Sequence, residues 1–243
     1  MHTTYNYSPN FEIKKRKVSQ IKFIIFHYTG MKNEKKAIHK LSNSRSKVSC
    51  HYLIKNTGEI LTLVPDLYIS WHAGVSGWKK FKFLNKNSIG IEISNPGHKF
   101  KYKKFSKKQI FAILKLSRFL IKKYKIKPEN FLGHSDIAPD RKLDPGEKFP
   151  WKYLSKYKIG NWHNLNNKQL LKGRKKFTKN FEKIKFINNL FKIGYSKNKK
   201  ISTKVYSRML SLAFQRRFRQ DLINGTIDQE CLSISENLLK KFK

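Results

Sequence analysis

The run Ser88-Ile89-Gly90-Ile91-Glu92-Ile93-Ser94-Asn95 alternates apolar and non-apolar residues. A period of two is the mark of a strand with two chemically different faces. Ile89, Ile91 and Ile93 share one face; Gly90, Glu92 and Ser94 share the other. Glu92 therefore projects away from the isoleucines. A solvated carboxylate on the wet side of a sheet gives the same pattern, because antiparallel sheets often keep one face in water. A second run, Ile21-Lys22-Phe23-Ile24-Ile25-Phe26-His27-Tyr28-Thr29, is β-branched and aromatic and reads as a buried strand ending in a histidine just before Gly30. A lone histidine there is more often a packed core residue than a ligand, although a strand end is a rigid place from which to aim an imidazole.

Helical signals lie between and after these strands. Residues around Glu34–Leu41 read as a short helix, and His51–Val64 as a hairpin turning at Asn56-Thr57-Gly58. Ser106 and Gln109 form a capping box for a helix reaching about Tyr124. Ile110, Ile113, Leu114 and Ile121 fall at helical spacing on it, and Pro128 forbids continuation. Strands interleaved with helices predict an α/β fold, a mixed central sheet flanked by helices. A break falls near Ile159-Gly160-Asn161-Trp162-His163. Beyond it three amphipathic helices are expected at about 179–193, 203–219 and 227–241. Their predicted core faces are Phe181, Ile184, Ile187 and Phe191; then Val205, Met209, Leu212 and Ala213; then Leu232, Ile234 and Leu238. The expected division is a domain over 1–160 and a small three-helix domain over 170–243.

Charge is the extreme feature of the composition. Fifty-four basic residues against 15 acidic ones give a formal charge of +39. Nucleic acid, an acidic membrane surface or a carboxylate-bearing polymer would all be attracted. The lysines are scattered along the chain, however, and accompany abundant Asn, Ile and Phe, the mixture AT-rich codons supply. No recognition motif or stacking-aromatic pattern for nucleic acid accompanies them. Cys50 and Cys231 make neither a disulfide framework nor a Cys-type zinc site. The first residues lack a basic-then-apolar secretory layout, and no apolar run approaches the ~18 residues that span a bilayer. The expectation is a cytoplasmic monomer without a membrane span, periplasmic if the true start lies upstream.

The densest chemistry lies in Gly133-His134-Ser135-Asp136-Ile137-Ala138-Pro139-Asp140-Arg141-Lys142-Leu143-Asp144-Pro145-Gly146. It brings an imidazole, a lysine and carboxylates together between glycines and prolines. Neutral imidazole and carboxylate oxygen suit Zn²⁺, and a catalytic zinc site keeps one position open for water. Gly/Pro-rich charged segments are also ordinary solvated turns, so the segment is ambiguous alone.

Five blocks in order resolve that ambiguity. Phe26-His27-Tyr28-Thr29-Gly30, Ser49-Cys50-His51-Tyr52-Leu53-Ile54, Trp71-His72-Ala73-Gly74, Asn87-Ser88-Ile89-Gly90-Ile91-Glu92 and the Gly133–Gly146 segment together resemble the zinc-dependent N-acetylmuramoyl-L-alanine amidases of the type-2 amidase family. The nearest likeness is to the bacterial muropeptide amidases that act on anhydro-muropeptides, over about residues 8 to 160. The resemblance implies that His27, His134 and Asp144 bind Zn²⁺ and that Glu92 and Lys142 assist the chemistry. It implies hydrolysis of the amide between N-acetylmuramic acid, or its anhydro form, and L-alanine, in wall turnover and recycling. The partner is then peptidoglycan or a muropeptide. The alternative is a fragment-binding protein that does not cleave, which the complete ligand set argues against.

His51 and His72 fall within these blocks. A packing or hydrogen-bonding role leads for His51, whereas His72 is open between substrate contact and packing. His2, His39, His98 and His163 carry no usable pattern. The loop-rich stretch Pro65–Leu84, with Trp71 and Trp78, is expected to border the cleft. Ala213-Phe214-Gln215-Arg216-Arg217-Phe218-Arg219 followed by Asn224-Gly225-Thr226-Ile227-Asp228-Gln229-Glu230 resembles the peptidoglycan-binding helical domains, with Cys231 where threonine is usual. That resemblance points to no sugar-contacting residue.

Overall fold

The structure, a computed structural model, describes residues 3–241; Met1, His2, Phe242 and Lys243 lie outside the description. In chain order the elements are β1 (Thr4–Tyr5), β2 (Phe11–Glu12), β3 (Phe23–Tyr28), α1 (Glu34–Ser42), β4 (Tyr52–Ile54), β5 (Ile60–Thr62), β6 (Ile69–Ser70), β7 (Gly77–Trp78), β8 (Phe81–Lys82) and β9 (Ser88–Ile93). There follow α2 (Lys107–Tyr124), β10 (Phe131–Gly133), α3 (His134–Ile137), α4 (Trp151–Ser155), α5 (Asn167–Arg174), α6 (Asn180–Ile193), α7 (Thr203–Phe218) and α8 (Gln229–Lys241). No helix among the described residues is long and apolar enough to cross a membrane.

Six strands form the central sheet in the order β1-β5-β4-β9-β3-β10. β3 runs parallel to both β9 and β10, and β4 parallel to β9; the β4–β5 hairpin supplies the antiparallel pair. The period-two pattern of β9 sorts as the sequence demands. Ile89, Ile91 and Ile93 join Ile24, Phe26 and Phe131 on one face, where Ile113, Leu114 and Leu116 of α2 cover them. The α2 start is held by its capping box, with Ser106 Oγ accepting the Gln109 N–H and Gln109 Oε1 accepting the Ser106 N–H.

The opposite face is covered in two places. Leu53 and Leu61 pack with Leu41 of α1. Phe23, Ile25 and Leu132 pack with Phe186, Leu190, Leu210 and Phe214 of the C-terminal helices. That second core is continuous from the sheet into α5–α8. Between the two covers the face is open, and His27 and Glu92 lie there.

The C-terminal region holds the three expected helices, preceded by the shorter α5. Leu232, Ile234 and Leu238 of α8 and Ala213 of α7 are buried as expected. Elsewhere on α6 and α7 burial departs from the predicted faces: Phe181, Ile184 and Val205 are exposed, whereas Phe186, Leu190 and Ile193 of α6 and Tyr206, Leu210 and Phe214 of α7 are buried. On α6 and α7 apolar residues extend beyond one stripe, and the surfaces they meet, the sheet and the neighbouring helices, decide which are covered. Trp78 also departs from expectation. It is 2% exposed, 5.0 Å from the Tyr195 ring and away from the cleft. Gly194 makes room for it, since a Cβ there would lie 2.4 Å from the indole.

The C-terminal sequence motif does internal work. Gln215 Oε1 accepts the Asn224 and Gly225 N–H groups and its amide donates to the Thr226 carbonyl, which pins the loop before α8. Asp228 accepts the Cys231 N–H and pairs with Arg219. Gln215, Asp228 and Glu230 are all buried.

Candidate active site

Parallel strands present their carboxyl ends at one edge of a sheet, where open α/β sheets commonly bind ligands. His27 sits near the end of β3, directly in register with Glu92 on β9. β10 lies on the other side of β3 and ends at Gly133, so His134 emerges beside them. The chain then loops back through a cis Asp144–Pro145 peptide. The Asp144 carbonyl accepts the Ser135 N–H at 2.8 Å.

This brings three side chains to one point. His27 Nδ1 lies 2.9 Å from His134 Nδ1, and each is 3.0 Å from Asp144 Oδ2. All three residues are buried. They form a group of His, Cys, Asp or Glu side chains whose ligand atoms lie within 4.8 Å of one another.

The protons around this triangle can be assigned from its neighbours. Ser88 Oγ–H donates to the Leu84 carbonyl at 2.6 Å, so its oxygen accepts from His72 Nε2 at 3.1 Å. His72 Nδ1 is then an acceptor and takes the proton of His27 Nε2 at 3.0 Å. On the other side His134 Nε2 donates to the Ala73 carbonyl at 3.1 Å. Both Nδ1 atoms are left as bare lone pairs, because a neutral imidazole carries one N–H. Burial, then the neighbouring His134, pushes His27 down to about 4, which keeps it neutral. Two lone pairs and a carboxylate oxygen at about 3 Å repel one another unless a cation lies among them. Four ligands at ~2.0–2.1 Å from zinc stand roughly 3.3 Å apart, so the observed triangle fits such an ion after slight expansion.

His72 thus takes neither of its two expected roles alone. It is buried, lines the cleft and sets the tautomer of His27. Gly90 lies under its ring, and a Cβ at that position would fall 2.4 Å from His72 Cγ. His51 is fully buried and structural: its Nδ1 accepts the Gly90 N–H at 3.0 Å and its Nε2 faces the Tyr68 carbonyl at 3.1 Å.

Glu92 and Lys142 line the same cleft, of about 590 Å³, as His27, His134 and Asp144. Glu92 Oε2 is shielded from solvent and has no hydrogen-bond partner among the described residues. Burial, then the nearby Asp144 charge, pushes its carboxyl up to about 8 against the opposing pull of Lys142 and Lys40. Lys142 and Asp144 both reach the cleft, as their two-residue spacing suggested. The segment is a helical turn followed by turns, however, and not one extended run.

Sequence reasoning passed over several contributors. Arg141 Nη2 donates to the Ala73 carbonyl that also receives His134. His98 lines the cleft, with Nδ1 2.9 Å from the Tyr28 hydroxyl and Nε2 3.0 Å from Glu147. Single exposed-looking histidines carry no periodic signal, so only the fold reveals such pairings.

Fold and cleft together define the class, an α/β enzyme with a His/His/Asp cluster beside a half-buried carboxyl at the carboxyl-end edge of its sheet. Residues 17–147 match the N-acetylmuramoyl-L-alanine amidase family, and the chain belongs to that family. It is 36% identical to N-acetylmuramoyl-L-alanine amidase AmiD of Escherichia coli (strain K12) over 236 residues, 92% of this chain and 84% of AmiD. It is 38% identical to 1,6-anhydro-N-acetylmuramyl-L-alanine amidase AmpD of Haemophilus influenzae over 114 residues, 46% of this chain and 60% of that relative. The fold is similar to that of AmiD from E. coli in complex with the substrate anhydro-N-acetylmuramic acid-L-Ala-D-γ-Glu-L-Lys. The TM-score is 0.82 at 34% identity, covering 95% of this chain and 92% of that one. It is also similar to AmpDh3 of Pseudomonas aeruginosa in complex with anhydromuramic pentapeptide, with a TM-score of 0.80 at 28% identity, covering 96% and 97%.

Proposed function

We propose that this protein hydrolyses the amide joining the lactyl group of anhydro-N-acetylmuramic acid to L-alanine in soluble muropeptides, with a zinc ion held by His27, His134 and Asp144. The observation that carries the proposal is the meeting of three ligand atoms at 2.9–3.0 Å in one cleft with Glu92 and Lys142. The anhydro-sugar ligands of AmiD and AmpDh3 support the substrate class. A zinc ion held there would supply Lewis-acid polarisation of a carbonyl and activation of a water molecule at neutral pH.

The remaining work falls to the side chains. Glu92 takes a proton from the attacking water and delivers it to the departing alanine nitrogen. Burial raises this carboxyl toward neutral pH, the direction that suits a group serving first as base and then as acid. Lys142 places an ammonium at the cleft to stabilise the negative oxygen that develops on the scissile carbonyl. His72 and Ser88 hold His27 in the ligating tautomer, and the Ala73 carbonyl does the same for His134.

Mass spectrometry of a digest of anhydromuramyl-tripeptide tests the reading. Free tripeptide and anhydro-sugar should be released with the gain of one water, release should stop on chelation, and zinc should restore it. Intact substrate under zinc-replete conditions would overturn the proposal.

A further inference from the structure

The active-site cleft does not end at the metal cluster. A second cavity of about 610 Å³ adjoins it and shares Thr29, Met31, Pro96 and Lys99 as a common wall. Lys32, Lys101 and Lys103 also line this cavity. Among the described residues none of these four lysines forms an ion pair. The single carboxylate on the wall, Glu34, accepts the Asn56 N–H at 2.6 Å.

The loop carrying three of the lysines is well anchored. Asn95 is 5% exposed; its amide donates to the Lys103 carbonyl at 2.9 Å and its Oδ1 accepts the Gly97 N–H at 3.1 Å. Thr29 Oγ1, beside the metal-cluster strand, donates to the Asn95 carbonyl at 3.1 Å. Like charges are thus gathered on a fixed backbone next to the reacting centre.

The chemistry of an anhydromuramyl peptide makes this placement informative. The sugar's own carboxyl is consumed in the scissile amide, so its half of the molecule is neutral. Every free carboxylate lies on the peptide half: the α-carboxylate left by a γ-linked glutamate, and the carboxyl terminus. We infer that the lysine-lined cavity is the subsite for the carboxylates of the stem peptide, and that it fixes which way the substrate lies across the cleft. This rests on the amidase reading above and adds to it the direction of binding and a preference for acidic stems.

The test compares two substrates with the same scissile bond. One is anhydromuramyl-L-Ala-γ-D-Glu-L-Lys with free carboxylates; the other carries carboxamides at the glutamate α-position and the terminus. Two partly screened charge contacts predict an advantage in kcat/KM on the order of fivefold to tenfold for the acid at low salt, carried by KM. In Lys99→Gln/Lys101→Gln/Lys103→Gln the advantage should fall toward unity, the loss appearing as a raised KM for the acid. A control, Lys183→Gln/Lys192→Gln on α6, should keep it. Equal use of both substrates by the wild type, an advantage that survives the triple substitution, or equal loss in the control would each overturn the inference while leaving the amidase reading intact. Failure to cleave either substrate would overturn both.

Discussion

Glu92 is a carboxyl that the fold makes unusual. On an exposed sheet face it would be an ordinary anion; here the open gap in the sheet's cover is narrow enough to shield Oε2 and leave it unpartnered. Glu92→Gln keeps the shape and removes the proton exchange. The expected result is metal binding like the wild type and kcat lower by ~10²–10⁴, read by steady-state kinetics together with metal content. Near-native kcat would remove the residue from its role. His51 offers a prediction about stability. Burial, then the Arg16 charge, pushes it down to about 3 from an ordinary 6.5. Above pH ~6.5 neither folded nor unfolded chain protonates it. Below that, the unfolded chain gains a proton the folded one refuses, so stability falls by about 1.4 kcal/mol per pH unit for this group. Urea midpoints between pH 7 and pH 5 should drop, and His51→Asn should drop less steeply. Parallel slopes would contradict the assignment.

At the scale of elements, the tie between the C-terminal helices and the segment bearing His134 stands out. Arg217 of α7 donates to Asp136 Oδ2 at 2.5 Å and to the Phe131 carbonyl at 2.9 Å, with its guanidinium 4.2 Å from the Trp151 ring centroid. Tyr195 donates to Asp136 Oδ1 at 2.9 Å, and Asp136 in turn accepts the Gly133 N–H at 2.7 Å. Both charges are buried. Removing one partner of such a pair leaves the other charged and dry, so Arg217→Met should cost ~3–5 kcal/mol in a denaturant titration. A loss below ~1 kcal/mol would show the pair to be dispensable. Much of this level was legible in the chain itself. The period of β9, the capping box at Ser106 and the hairpin turn at Gly58 depend on local chemistry, and each element formed where that chemistry placed it. The exposure of Phe181 and Val205 and the burial of Trp78 were not legible, because they depend on which surface a distant segment presents. The same holds for the site. His27, Glu92, Lys142, His134 and Asp144 could be named from five sequence blocks. The relay through His72 and Ser88 needed strand register and the close approach that Gly90 permits.

Taken whole, the molecule sets a strongly positive chain around the cleft that holds His27, His134, Asp144, Glu92 and Lys142. The +39 formal charge is spread over both halves, and Lys32, Lys99, Lys101 and Lys103 gather a part of it beside the cleft. What the architecture achieves is to bring residues 27, 134 and 144 from separate parts of the chain to a single point. The most direct test is the zinc content of the purified protein and of His27→Ala, His134→Ala and Asp144→Ala after dialysis, each checked for folding by circular dichroism. One zinc per wild-type chain, and none retained by any folded variant, is the predicted result. A folded variant that keeps a full equivalent of zinc, or a wild type that holds none, would contradict it.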